Sequence, residues 1–190
     1  MIIEGIVTTL NDLHELNIAP MGPIVDDSMT QLVLRPFKSS TTYRNLKQQP
    51  VGVFHVVDNV LLIAQAALDR LPCQPEAFPA TTIAGKVLAD CCRWYEFEIS
   101  AVDDTADRTS LTANVTYAGR LRDMAAFNRA KYAVLEATIL ATRLELIPEC
   151  ELTPQLNALE TIVNKTAGPQ EFEAFALVKT HVAEWRQRRR

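Results

Sequence analysis

Between residues 109 and 117 apolar and polar positions alternate. Leu111, Ala113, Val115 and Tyr117 fall on one side, and Ser110, Thr112, Asn114 and Thr116 on the other. A period of two predicts a strand with one buried face. Val51-Gly52-Val53-Phe54-His55-Val56-Val57 is instead almost continuously apolar, the pattern of a strand covered on both faces. Its polar member, His55, is expected as a core or barrel-wall histidine. Residues 2–9, 15–21 and 29–34 are also β-rich, with turn-forming residues at 10–14 and Gly22-Pro23 between them. The first two make a hairpin that carries His14 in its loop as a surface imidazole. Residues 86–102 read as one long strand or as two broken at Asp90, and 103–107 form a hairpin loop. Short helices are predicted over 42–48, stopped by Pro50, and over 60–68, capped by Asp58 or Asn59. Residues 71–79 hold three prolines and read as a connector. About six strands with few helices suit a small barrel.

The period changes in the last third. A helix capped by Asp123 is expected to run to about Leu146, with Phe127, Ala130, Val134, Ala137, Ala141 and Leu144 near one stripe. Arg122, Arg129, Glu136 and Arg143 recur on another stripe, as a solvated face or as the lining of a cleft or dimer contact. Thr153-Pro154 is expected to open a second helix and Gly168-Pro169 to end it. A third spans Gln170 to about Arg188, with Phe172, Phe175, Val178, Val182 and Trp185 on one side. Arg186 and Arg188-Arg189-Arg190 lie at its C-terminus, where cations complement the macrodipole. The expected organisation is a mainly β domain over 1–124 and a helical appendage over 125–190.

Composition narrows the function classes. The 190 residues are 48% hydrophobic and 22% charged, with a net charge of −4, which gives no electrostatic case for nucleic acid. No window reaches the ~18 apolar residues of a membrane span. The N-terminus Met1-Ile2-Ile3-Glu4 lacks a basic n-region, so no signal peptide is expected and the location is expected to be cytoplasmic. Cys73, Cys91, Cys92 and Cys150 form no C-x-x-C pair and read as reduced, mostly buried thiols. G-x-G-x-x-G, G-x-S-x-G and H-E-x-x-H are missing, and the three histidines are far apart. A Rossmann half, a classical triad and a metal site therefore have little support.

The stretch that carries candidate chemistry is Leu34-Arg35-Pro36-Phe37-Lys38-Ser39-Ser40-Thr41-Thr42-Tyr43-Arg44-Asn45-Leu46. A β-rich run ends in proline, four hydroxyl residues follow with Arg35, Lys38 and Arg44 around them, and a helix begins. Hydroxyls and free N–H groups at a helix start, among cations, suit a phosphate monoester. The same residues also suit a polar loop in which Ser40 or Thr41 merely caps the helix. Glycine is absent, which excludes a nucleotide P-loop.

Together with Asn17-Ile18-Ala19-Pro20-Met21-Gly22-Pro23 and Phe127-Asn128-Arg129-Ala130-Lys131-Tyr132-Ala133-Val134-Leu135-Glu136-Ala137, this stretch resembles a family known only as a domain of unknown function. That family has the flavin reductase-like FMN-binding split barrel. The resemblance implies a barrel to about residue 125, then a helical tail. It implies FMN as cofactor, with its ring beside Asn17, Ala19, Pro20 and Met21. The phosphate neighbourhood is then Arg35, Phe37, Lys38, Ser39, Ser40, Thr41, Thr42 and Asn45. Ser40, Thr41 and Thr42 would hold the phosphate, with Arg35 and Lys38 as countercharges. The loop departs from the Lys-Asp-Thr form of many flavin reductases, having Lys38-Ser39-Ser40-Thr41-Thr42 instead. The resemblance further implies a homodimer with FMN near the subunit interface. The implied activity is an FMN-dependent oxidoreductase with a small-molecule redox partner, the donor being a nicotinamide or a deazaflavin-like compound. No catalytic residue is assigned, since the cofactor carries the redox chemistry. The alternative is a non-catalytic protein that holds FMN, a pterin or another phosphorylated heterocycle.

Overall fold

Gly5–Leu10 (β1) contains no charged residue, and all six of its residues are buried in the computed structural model, which describes residues 1–189. Arg190, counted above among the C-terminal arginines, lies outside the described residues. The chain continues through Leu16–Met21 (β2), Ile24–Val25 (β3), Gln31–Leu34 (β4), the helix Thr41–Gln48 (α1) and Val51–Val56 (β5). Then follow the helix Val60–Ala67 (α2), Ala77–Pro79 (β6), Lys86–Leu88 (β7), Arg93–Asp103 (β8) and Ser110–Arg120 (β9). Three helices close the described chain: Arg129–Ala141 (α3), Glu149–Thr166 (α4) and Pro169–Arg188 (α5). The residues sort into two compact units, one of Met1–Val57 with Gln74–Met124, the other of Asp58–Cys73 with the chain from Ala125 on.

The first unit is a seven-stranded antiparallel sheet in the order β2-β1-β5-β8-β9-β4-β3, with β6 and β7 as a separate pair. The long strands β8 and β9 lose register at Glu96/Phe97 and again at Ile99/Ala101. Such irregularities bend a strand pair and let the sheet curl around its own apolar face. Val7, Val25, Leu32, Leu34, Leu46, Phe54, Phe97, Leu111 and Ala113 fill the curl. The Trp94 ring lies directly against Gly119, where an added Cβ would stand 2.1 Å from it.

His55 and Glu96 are ionisable groups built into this wall. His55 is fully buried; its Nδ1 donates to the Ile6 carbonyl and its Nε2 accepts the Leu88 N–H, both at 3.1 Å. Burial pushes its imidazole down to about 4, so it is the neutral wall histidine expected from the apolar run. Glu96, also fully buried, accepts the Thr81 and Thr82 N–H groups at 2.7 and 2.6 Å, the Thr82 hydroxyl at 2.7 Å and the Trp94 indole at 3.2 Å. Burial raises the Glu96 carboxyl, but these donors together outweigh it and hold the group below the usual carboxylate range.

The structure departs from the pattern reading at several places. Ile24–Val25 was hidden because two residues show no period, yet they pair with Leu32 and Val33. The Pro-rich connector contains β6, which pairs with β7. The break between β7 and β8 falls at 89–92 rather than at Asp90 alone. There the Cys92 N–H donates to the Val56 carbonyl, and the Cys91 thiol is pushed up to about 12 by burial. Cys73 and Cys150 are exposed, so only Cys91 and Cys92 fit the expectation of buried thiols.

The second unit packs α2, α3, α4 and α5 around Ala64, Ala130, Ala133, Val134, Ala137, Leu152, Phe175 and Val178. Its alanines let helix axes come close. Asn128, not Asp123, caps α3: its Oδ1 accepts from the Ala130 and Lys131 N–H groups at 2.8 and 3.2 Å. Phe127 therefore precedes the helix and is 94% exposed rather than part of the apolar stripe. Likewise α4 begins at Glu149, where two first-turn carboxylates, Glu149 and Glu151, complement the helix dipole. Thr153 and Pro154 thus lie within α4. Pro169 opens α5, and Phe172 is largely exposed while Phe175, Val178, Val182 and Trp185 are buried as expected. Arg129, Glu136 and Arg143 are exposed, and Arg122 pairs with Asp90 at 3.0 Å before α3 begins. No helix among the described residues is long and apolar enough to cross a membrane.

Candidate functional site

β2 stands at the end of the sheet and pairs only with β1 among the described residues. One row of its backbone N–H and C=O groups therefore faces no strand. Pro20 is tolerated in β2 because an edge strand can lack a ladder donor. All six residues of β2 are half-buried. Asn17, Ala19 and Met21 share one face by strand parity, and Met21 packs against the core of the first unit.

The other end of the sheet leads into the hydroxyl loop. Leu34 closes β4, and Pro36 follows with its carbonyl accepting both the Thr109 N–H at 3.0 Å and the Thr109 hydroxyl at 2.8 Å. Phe37 bridges Arg108, whose guanidinium lies over the Phe37 ring at 5.5 Å. The Lys38 N–H donates to the Asp107 carbonyl at 2.9 Å. The 103–109 turn thus holds the loop by its backbone. Tyr43 adds a bond from its hydroxyl to Asp104 at 2.7 Å, and Lys47 an ion pair to the same carboxylate at 3.2 Å. The Tyr43 and Lys47 bonds hold the Asp104 carboxyl below its usual range, with the nearby Lys38 charge adding to them.

The four hydroxyl residues separate by depth. Ser39 and Thr41 are exposed; Ser40 is half-buried and caps α1, its Oγ accepting the Tyr43 N–H at 3.2 Å. Arg44, one turn along, reaches back to the helix start and donates to the Ser39 carbonyl and the Thr41 hydroxyl, each at 3.0 Å. Thr42 is turned inward and is only 2% exposed; its hydroxyl accepts from Asn17 Nδ2 at 3.0 Å. Asn17 Nδ2 also donates to Thr9 Oγ1 at 3.2 Å, and buried Asn45 donates to the same Thr9 atom at 3.0 Å. The structure therefore brings Asn17 of β2 together with Thr42 and Asn45 of α1, although 25 residues separate Asn17 from Thr42. Phe37 and Lys38 are both exposed, anchored to the 103–109 turn.

Arg35 Nε is buried and has no hydrogen-bond partner among the described residues, a state it shares with His181 Nδ1 in the helical unit. A buried guanidinium N–H without an acceptor is the kind of group a bound anion satisfies. Further along the same loop are the Arg44 guanidinium at the start of α1 and the first-turn N–H groups that the Ser40 cap leaves open. The arrangement fits a phosphorylated ligand: donors at the loop, and a free strand edge at β2 for a planar ring with polar edges. Among the described residues no group of three or more His, Cys, Asp or Glu side chains could hold a metal ion.

The sequence reading counted Arg44 among the cations of this stretch without giving it a contact, and its reach back to Thr41 follows from one helical turn. It missed Thr9, because the role of Thr9 comes from standing directly opposite Asn17 in the β1–β2 register.

Comparison with known proteins gives a consistent picture. The family model described as "Protein of unknown function (DUF447) N-terminal domain" matches residues 3–122, and that described as "Protein of unknown function (DUF447)" matches residues 128–180. No curated protein matches the sequence. Among solved structures, an FMN-bound protein from Methanosarcina mazei assigned to DUF447 is 27% identical, with a TM-score of 0.78, covering 95% of this chain and 94% of that one. An FMN-binding protein from Thermus thermophilus with bound 1-cyclohex-2-enone is 13% identical, with a TM-score of 0.54, over 62% of this chain and 70% of that one. The styrene monooxygenase flavin reductase of Pseudomonas putida S12 is 11% identical, with a TM-score of 0.51, over 62% and 77%. The fold is thus mixed β with α: a curled antiparallel half-barrel of the flavin reductase-like split-barrel type, with helices at its C-terminus.

Proposed function

The chain belongs to the DUF447 family, and from that premise we propose that it binds FMN in its first unit and works as an FMN-dependent oxidoreductase on a small-molecule redox partner. The observation that carries the cofactor reading is the buried, unpartnered Arg35 Nε on the residue that leads into a loop rich in donors. The FMN-bound Methanosarcina mazei relative, matching over almost the whole chain, supports it. Arg35 and Lys38 would supply countercharge to the phosphate, and Ser39, Ser40 and Thr41 would supply hydroxyls. Arg44 already orients the Thr41 hydroxyl and the Ser39 carbonyl, so the loop enters binding with part of its ordering done. Thr42 and Asn45 support from beneath, because their side chains are committed to Asn17 and Thr9. The free edge of β2 at Ala19, Pro20 and Met21 would face the polar edge of the ring, offering backbone groups already aligned.

When bound, FMN supplies a reversible two-electron acceptor and donor. The residues of the chain bind and orient it; His55 and Glu96, each satisfied inside the wall, hold structure rather than move protons. We further propose a barrel domain over 1–124, apart from the segment 58–73 that packs with the helices, and a helical domain over 125–190, and that the protein works as a cytoplasmic homodimer with FMN near the subunit interface.

The test is spectroscopic. Purified protein loaded with FMN is mixed anaerobically with NADH, with NADPH and with a reduced deazaflavin. Bleaching of the bound-flavin absorbance by one of these donors at a catalytically useful rate is the expected result. FMN that binds but is bleached by none of them would favour a non-catalytic flavin- or pterin-binding protein instead.

A further inference from the structure

β2 has a strand partner on one side only, so nothing in the sheet ladder fixes how far its free edge stands from α1. What joins them is a partly buried side-chain network. Thr9 of β1 lies opposite Asn17 of β2 and is 3% exposed. Its Oγ1 accepts from Asn17 Nδ2 at 3.2 Å and from Asn45 Nδ2 at 3.0 Å. The second proton of the Asn17 amide goes to Thr42 Oγ1 at 3.0 Å. Thr9 is therefore the junction of two amides, one on the strand and one on the helix. Asn45 is shielded from water at 4% exposure, so its amide has no solvent to turn to if the Thr9 acceptor is lost, while Asn17 is half-buried and keeps its bond to Thr42.

We propose that Thr9 is a positioning residue, its hydroxyl fixing the free edge of β2 against α1 so that one ligand can engage the strand edge and the phosphate loop at once. This rests on reading the site as one for FMN. A ligand with two recognition ends gains from the second only if the protein holds both sites at the span of the ligand. The phosphate loop leads directly into α1, since Ser40 caps that helix. A shift of α1 relative to β2 therefore moves the phosphate donors away from a ring seated on the strand. Thr9 touches neither end and acts through Asn17 and Asn45.

The readout is the ratio of FMN to riboflavin affinity, which measures how well the phosphate end adds to the ring end. Apo protein, wild type and variant, is titrated with each ligand well below its unfolding temperature. Thr9→Val keeps the shape and removes the acceptor; the ratio is expected to fall on the order of tenfold or more, and Thr9→Ser to retain the wild-type ratio. A merely structural role would lower the melting temperature and leave the ratio of the folded variant unchanged, which would overturn the proposal while leaving the FMN reading intact. If Thr9→Val does not fold, Thr9→Cys serves: a thiol is a weaker acceptor of near-equal size, and a ratio equal to wild type there would overturn the positioning role. Wild-type protein that binds FMN and riboflavin equally would instead overturn the phosphate reading on which the proposal stands.

Discussion

Arg35→Met separates the two states of the site by sign. In the ligand-free chain the Arg35 Nε is buried with no acceptor. An unsatisfied buried donor costs roughly 1–3 kcal/mol. Methionine keeps most of the apolar stem and removes the orphaned group. The ligand-free variant should therefore melt at the wild-type temperature or above it. With FMN bound the sign reverses. A charge-assisted bond from guanidinium to phosphate is worth roughly 1.5–3 kcal/mol, and 1.4 kcal/mol is a factor of about ten. FMN affinity should fall on the order of tenfold to a hundredfold, and riboflavin affinity should hardly change. Isothermal titration with both ligands, paired with thermal unfolding of the apo protein, gives all three quantities. The reasoning is refuted by FMN affinity that survives the substitution. It is equally refuted by FMN and riboflavin weakening together, or by an apo variant that melts clearly below wild type.

Other consequences are simpler. Thr41→Val removes one exposed hydroxyl at nearly constant shape and should weaken FMN about tenfold or less, with no effect on riboflavin; a loss equal to that of Arg35→Met would contradict the ranking. Gly119→Ala drives a Cβ to 2.1 Å from the Trp94 ring and should cost ~1–3 kcal/mol or more in urea unfolding; an unchanged midpoint would show that the strands have room to part. The His55 imidazole is held near 4 in the fold against 6.5 outside it, so its contribution is complete above pH 6.5 and is lost as pH falls toward 4. Between pH 6.5 and 5 this is about 2 kcal/mol, read by urea unfolding, and stability that stays flat over that interval would contradict it. His181, held low by burial and by the Arg70 and Arg188 charges, acts in the same direction, so a His181→Gln background isolates the His55 share.

Much of the first unit is legible in the sequence because its strands announce their burial. β5 is continuously apolar and β9 alternates, and both lie close to where the pattern puts them. What escaped was short or overridden by context. β3 is two residues long, and β6 is a proline-bearing strand whose pairing with β7 no local pattern encodes. In the helical part the apolar stripe was right from Ala130 onward, but its start was not. Asp123 and Asn128 are both good caps, and the choice fell to Asn128, whose Nδ2 also donates to the Thr166 carbonyl at 3.1 Å. Within the candidate site, the hydroxyl run was visible from composition. Its division into exposed Ser39 and Thr41, a capping Ser40 and an inward Thr42 follows from helix phase, which a residue list does not contain. Least visible was the Thr9 junction, since it joins positions 8 and 36 residues apart.

Titration of the apo protein with FMN and with riboflavin tests the central claim most directly, because the ligands differ only in the phosphate. FMN carries nearly two negative charges there, and two or more charge-assisted bonds at roughly 1.5 kcal/mol each amount to about a hundredfold. FMN is therefore expected to bind at least that much more tightly than riboflavin, with the preference shrinking as salt is raised. Equal affinities would mean that residues 34–46 form a capped helix start in a polar loop and nothing more.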